Sequence, residues 1–175
     1  MKKLNLGCGN KKLKGYINVD NNPLCKPDII LDLNKGLKKF KTNSFDLIRA
    51  EHILEHVDDL QFVLEEMYRV SKPGAIWEIF VPHYSYGFAH PLHKRGFSYG
   101  FFSFFNNKNS ESYGNMKFKI LKTHFKYTRM NNLFLKIIGV PIDFLANLHK
   151  GFCERFWCYL VGGFEEIQIR VKVEK

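Results

Sequence analysis

Residues 44–83 limit the fold more than any other stretch of this chain. "SFDLIRA" (44–50) reads as a strand, and "AIWEIFVPH" (75–83) reads as another. Between them, residues 57–71 repeat apolar side chains at helical spacing through Leu60, Val63, Leu64 and Met67. Asp58 and Asp59 favour the start of that helix, and Lys72-Pro73-Gly74 stops it. An apolar strand, an amphipathic helix and a second apolar strand are the signature of a parallel α/β sandwich.

The N-terminal third supports the same architecture. Residues 3–6 and 16–20 read as short strands, and Asp28-Ile-Ile-Leu-Asp32 has the continuous apolar centre of a buried one. Beyond residue 83 the chain is less regular. Residues 83–116 form a long excursion rich in Gly, His and aromatic residues. "KFKILKTHFKY" (117–127) alternates as a strand, residues 132–160 read as two short apolar helices interrupted at Gly139-Val140-Pro141 and Gly151, and residues 164–175 alternate as a final strand. At 175 residues the chain is expected to form a single domain, 1–175, with a half at 1–83 and a second half at 84–175.

Composition narrows the function classes. The chain has no apolar run of membrane-spanning length and no secretory leader pattern, and Cys8, Cys25, Cys153 and Cys158 lack zinc-ligand or disulfide spacing, so a cytoplasmic protein is expected. The net charge of +10 is uneven, with +7 in residues 1–41, −5 in 42–81 and +8 in 82–175. Two basic regions around an acidic one could track phosphates, but 21 of the 27 basic residues are Lys and the bidentate phosphate ligand Arg is scarce. Nucleic acid is therefore an allowed partner and not the favoured one.

Three candidate ligand positions lie at strand ends. "LNLGCG" (4–9) ends its strand in Gly7-Cys8-Gly9, where missing side chains let backbone approach a ligand, although any sharp turn also wants glycine. The dinucleotide-binding fingerprint is not met, because its third glycine is absent. Asp20 closes "INVD" and can accept two hydrogen bonds from vicinal ribose hydroxyls, or simply make a turn before Asn21-Asn22-Pro23. Asp32 closes "DIILD" and is either an acceptor for an exocyclic amine or a cap. All three stand at the carboxyl ends of parallel strands, where open α/β sheets bind ligands.

In order and spacing, "LNLGCG", "NVD", "LDL" (31–33), "FDLIRAEHILEHV" (45–57) and "EEMYRVSKPGAIWEIFVPH" resemble the class I S-adenosylmethionine-dependent methyltransferases, in particular the small bacterial and archaeal branch that begins at the first strand. The resemblance covers residues 3–83 well and the remainder loosely. It implies a Rossmann-like three-layer α/β sandwich with a seven-stranded, mostly parallel sheet and an antiparallel last strand. It implies S-adenosyl-L-methionine as cofactor, with the backbone of Gly7, Cys8 and Gly9 beside its methionyl part. Asp20 would hold the ribose, Asn21 would lie against the adenine, and Asp32 with Leu33 would meet the adenine's polar edge. Ala50 would contact the methionine amino group through its backbone, with Glu51 and His52 closing that wall.

The chain departs from the family pattern twice. Asn5 replaces an acid that usually helps bind the cofactor amine. Only six residues, Asn10 to Gly15, separate Gly9 from the second strand, too few for a crossover helix, so one sheet face and the methionine end of the site should be open.

His52 and His56 stand at i, i+4 in "HILEH", but the Glu precedes the second His where a zinc protease helix needs His-Glu-x-x-His, and no metal is expected there. "VPHYSYGFAHPLHKRGFSYGFFSFF" (81–105) is where an acceptor should meet the cofactor. His83, Tyr84, His90 and His93 could include a general base, with His83 the expected one, against the alternative that all four are loop and packing residues. Residues 132–160 offer an apolar substrate, a membrane or a second copy a surface, or else cover the bare sheet face; covering is favoured, with a homodimer through 132–160 kept open. The expected activity is methyl transfer to an unidentified small-molecule or glycan-type acceptor. The alternatives are an RNA or other nucleic-acid methyltransferase, and a non-catalytic cofactor-binding module.

Overall fold

A computed structural model of the chain describes residues 1–87, 90–105, 115–129, 132–160 and 162–175. Seven strands, β1 (Lys3–Leu6), β2 (Ile17–Asp20), β3 (Ile29–Ile30), β4 (Phe45–Glu51), β5 (Ser71–Pro82), β6 (Phe118–Lys126) and β7 (Glu166–Val173), form one sheet in the order β3-β2-β1-β4-β5-β7-β6. The first five are parallel, and β7 runs antiparallel to both of its neighbours. The chain reverses at β1: it first winds outward to β3, then returns to β4 on the other side. That reversal places the carboxyl ends of β1, β2, β3 and β4 around one crevice.

Period-two alternation and the strand register define two unlike faces. Leu4, Val19, Ile48, Trp77, Ile79 and Ile169 share one face and are buried. Helix α1 (Leu60–Val70) packs Val63, Leu64, Met67 and Val70 into that core. It starts later than its apolar spacing suggests, because the Asp59 carboxylate accepts the Phe62 N–H at 2.9 Å and caps the first turn. Ser71 links its end to the sheet, donating to the Met67 carbonyl and accepting from the Trp77 indole N–H. β5 then begins at Ser71 and passes through Pro73-Gly74 beside a register shift opposite Phe45 and Leu47, earlier than the helix-stop residues suggest.

The opposite face is mixed, with Leu47, Ile76 and Phe80 among polar groups. Asn5, Asn18, Arg49, Glu78, Arg170 and Lys172 share it, and Arg170 and Lys172 are exposed. Residues 7–16 join β1 to β2 without a helix. Instead, the buried Asn18 amide ties the loop down: its Oδ1 accepts from Asn5 Nδ2 and the Leu13 N–H, and its Nδ2 donates to Leu13 O, Tyr16 O and Asp28 Oδ2. Asn5 adds a bond to the Lys11 carbonyl.

The short helix α2 (Tyr84–Gly87) follows β5. Helix α3 (Leu133–Leu148) is followed by α4 (Lys150–Phe152), a wide π turn at Cys153–Trp157, and α5 (Cys158–Leu160). The expected break at Gly139-Val140-Pro141 does not occur, since α3 runs through Pro141. The carbonyl of Ile137, which Pro141 leaves without its helical donor, belongs to an exposed residue and can be hydrated. The favoured role for 132–160, covering the bare sheet face, is also overturned. α3 lies along the outer edge of β6, where Asn147 exchanges two hydrogen bonds with the Phe125 backbone and Asp143 accepts the Tyr127 N–H. Ile137, Val140, Phe144, Leu145 and Leu148 remain exposed.

Candidate active site

At the end of β1 the chain turns through Gly7 and Gly9, with φ of +62° and +47°. Gly7 answers two demands at once: a left-handed backbone, and room for Ile53, whose Cγ1 would lie 2.5 Å from an added Cβ. The Gly9 N–H donates to Asp20 Oδ2 at 2.7 Å, and the Asn22 N–H donates to Asp20 Oδ1 at 2.9 Å. Asp20 therefore makes the turn that was the alternative to ribose binding, and in doing so it couples β2 to the glycine loop. Asp32 likewise caps the short turn at Leu33–Lys35 by accepting the Asn34 N–H at 3.0 Å. A carboxylate oxygen accepts more than one hydrogen bond, so neither cap excludes a ligand.

Two adjoining hollows open at these strand ends. One, of about 70 Å³, is lined by Gly7, Asp20, Asn21, Leu31, Asp32, Leu33, Asn34, Ile53, His56 and Val57. The other, of about 220 Å³, is lined by Asn5, Gly7, Cys8, Gly9, Asn10, Lys11, Leu13, Glu51, His52 and Arg129. Gly7 belongs to both walls. Residues expected at a cofactor site from β1, β2, β3 and β4 are thus brought to one place. Ala50 lies at the same strand end, fully buried within the sheet and paired with Leu6 and Ile79.

The larger hollow has a charged wall. Glu51 meets Lys11 Nζ at 2.9 Å and Arg49 Nη2 at 2.7 Å. Burial pushes its carboxyl upward, but the bonds from Lys11 and Arg49 outweigh that and hold it down at about 2, so it is ionised at neutral pH. His52 has a left-handed backbone, φ +52°, and bridges two acids: Nε2 lies 2.7 Å from Glu166 Oε2, and Nδ1 lies 3.1 Å from Glu55 Oε1. Burial disfavours its charged ring, yet the bonds to Glu166 and Glu55 raise its pKa above the ordinary histidine value. Arg129 Nε stands 3.3 Å from the same Glu166 carboxylate. Arg129 and Glu166 were missed in the sequence, where neither a loop arginine nor the first residue of an alternating strand signals a site.

His83 stands apart from both hollows. Its ring is fully buried, with Nδ1 2.7 Å from Ser85 Oγ and Nε2 3.3 Å from Glu154, among the rings of Tyr84, Phe125 and Phe164. Both nitrogens are engaged in holding the C-terminal helical region to the end of β5. This arrangement matches the packing role weighed against the base.

The lining fits an adenosyl sulfonium. Leu31, Leu33, Ile53 and Val57 offer apolar area for a purine, Asp20 and Asp32 offer acceptors, and the anionic Glu51 faces the glycine loop where an ammonium group would lie. A family model described as a methyltransferase domain matches residues 18–78. No curated protein matches the sequence. Among solved structures, an S-adenosylmethionine-dependent methyltransferase from Archaeoglobus fulgidus superposes with a TM-score of 0.59 at 18% identity, covering 98% of this chain and 85% of that one. One from Mesorhizobium loti superposes with a TM-score of 0.60 at 14% identity, covering 98% and 90%. At these identities the likeness establishes the fold. The chain has the fold of these S-adenosylmethionine-dependent methyltransferases, and its residues 18–78 match the methyltransferase-domain model. No described helix is long and apolar enough to cross a membrane.

Proposed function

We propose that the two hollows around Gly7 hold S-adenosylmethionine and that the chain transfers its methyl group to a small-molecule or glycan-type acceptor. The observation that carries this reading is the convergence of Gly7, Asp20, Asn21 and Asp32, from three separate strand ends, on one lining. Asp20 would accept the ribose hydroxyls, already ordered by the Gly9 and Asn22 amides. Asp32, Leu33 and Asn21 would meet the adenine. The backbone of Gly7-Cys8-Gly9 and the Ala50–His52 wall would flank the methionyl end, with Glu51 supplying the negative charge that Asn5 does not.

The bound cofactor supplies an electrophilic methyl on a sulfonium, which an acceptor lone pair attacks in line as the carbon–sulfur bond breaks and S-adenosylhomocysteine leaves. The protein's part is orientation and proximity. Residues 1–83 supply the cofactor side and residues 84–175 the acceptor side, in the cytoplasm. His83 serves this reading as a positioning residue for the end of β5.

Calorimetry with S-adenosylmethionine and S-adenosylhomocysteine tests the reading. Both forms should bind, and Asp20→Ala should weaken them at least about tenfold, the loss expected for hydrogen bonds to a charged acceptor. Binding of neither form sinks it. A labelled-methyl screen of cell extracts then separates acceptors; label in RNA, with binding that falls steeply as salt rises, would favour the nucleic-acid alternative.

A further inference from the structure

Beside the adenosyl-type hollow lies a second cluster. His56 and His52, neighbours at i, i+4, do not share a site: His52 turns to Glu166, and His56 turns to a loop far away in sequence. Three imidazoles gather there. The rings of His56 and His93 lie 4.9 Å apart, those of His56 and His90 5.8 Å, and those of His90 and His93 stack at 4.8 Å.

Glu55 reaches the same point. Its side chain is fully buried, and Oε2 has no hydrogen-bond partner among the described residues. One carboxylate oxygen of Glu55, one ring nitrogen of His56 and one of His93 all lie within 4.8 Å of one another. A buried carboxylate oxygen without a donor is costly, and the cost disappears when a cation binds it.

The surroundings hold this geometry in place. Arg95 grips the Leu54, Val57 and Asp58 carbonyls, and the Lys94 N–H donates to Glu55 O at 2.9 Å, so the loop carrying His93 is stapled to the turn carrying Glu55 and His56. His56 Nδ1 lies 3.1 Å from the Leu92 carbonyl. A carbonyl only accepts, so Nδ1 carries the proton and Nε2 keeps its lone pair, the arrangement that metal-binding histidines use. His52, 3.1 Å from Glu55 Oε1, orients the carboxylate in the same outer-sphere manner.

We infer that Glu55, His56 and His93 form a site for one divalent transition cation of the zinc kind at the mouth of the methyltransferase pocket. Two imidazoles and a carboxylate are a donor set for Zn²⁺ and its neighbours, less suited to Mg²⁺, which prefers oxygen. Three protein ligands leave a coordination position for water or an acceptor oxygen. His56 also lines the adenosyl-type hollow, so that position is close to the proposed cofactor. Acceptor binding there rests on the methyltransferase reading; cation binding does not.

Titration of chelator-stripped full-length protein with ZnCl₂, followed calorimetrically, tests the site, with MnCl₂ and MgCl₂ as comparison arms. One equivalent of Zn²⁺ should bind, Mg²⁺ should bind far more weakly, and Glu55→Gln and His93→Ala should each weaken Zn²⁺ at least about tenfold, as loss of a ligand must exceed loss of an outer-sphere partner. His149→Ala, at an exposed histidine elsewhere, should change nothing. If Glu55→Gln does not fold by circular dichroism, His93→Ala carries the test, because His93 lies on a loop outside the strands and helices. No stoichiometric Zn²⁺ binding, or His93→Ala binding as well as the natural chain, overturns the inference. Cofactor binding without zinc binding removes the metal site alone, and zinc binding without cofactor binding removes only the reading of the hollows.

Discussion

Gly7 concentrates the demands of the site on one residue. It turns the chain at φ +62°, walls both hollows, and leaves the space that Ile53 fills. For Gly7→Ala the left-handed conformation alone costs about 1–3 kcal/mol. The Cβ also displaces Ile53, whose side chain belongs to the lining. The expected outcome is a lower denaturation midpoint in urea together with weaker cofactor binding. Gly9→Ala separates the two effects: space around Gly9 is open, so only the conformational penalty applies there. Equal losses in the two variants would show that the fit of Ile53 against Gly7 contributes little.

At the scale of elements, the helix-free link between β1 and β2 depends on polar side chains where a crossover helix would bury apolar ones. Asn18→Ala removes the hub that joins Asn5, Leu13, Tyr16 and Asp28, and leaves buried groups unpaired. A loss of about 1–3 kcal/mol is expected in chemical denaturation. Asp28 adds a pH signature. The bond from Lys12 first, and then those from Asn18, lower its pKa from an ordinary 3.8 to about 2. A carboxyl depressed in the folded state stabilises it above the unfolded pKa, and that contribution disappears as pH falls from about 4 through about 2. Acid unfolding of Asp28→Asn should therefore be flatter across this window than that of the natural chain, with the difference read by circular dichroism. Identical acid limbs would mean that the bonds around Asp28 survive protonation.

For the whole molecule, the helices after β6 bury Ala146 and Cys153 in the core but leave much of their apolar surface outside it. Asp143 and Asn147 face the sheet edge, while Phe144, Leu145, Leu148, Phe152 and Phe156 remain exposed. An apolar surface of this breadth is characteristic of association. A two-fold pairing of this face with itself is expected, because Asp143, the acid on α3, is turned inward. Sedimentation velocity should show a dimer whose fraction rises with concentration, and Phe144→Glu with Leu148→Glu should return the chain to monomer. A monomer at every concentration would leave this face to some other partner.

Residues 3–83 disclosed their strands, the helix and the strand-end glycines and acids, because alternation, helical spacing and turn chemistry act over a few residues and are written in local order. That local information determined the sheet class and the strand-end groups that line the two hollows. What the tertiary structure alone decided is which distant groups meet. Glu166 reaches His52 across 114 positions, Arg129 joins them, and His93 is pinned beside Glu55 and His56 by Arg95. The exposed face of α3 was hidden for the same reason: a helix's apolar stripe is legible in sequence, but whether the sheet beside it offers an apolar face or a polar one depends on strands from the other end of the chain.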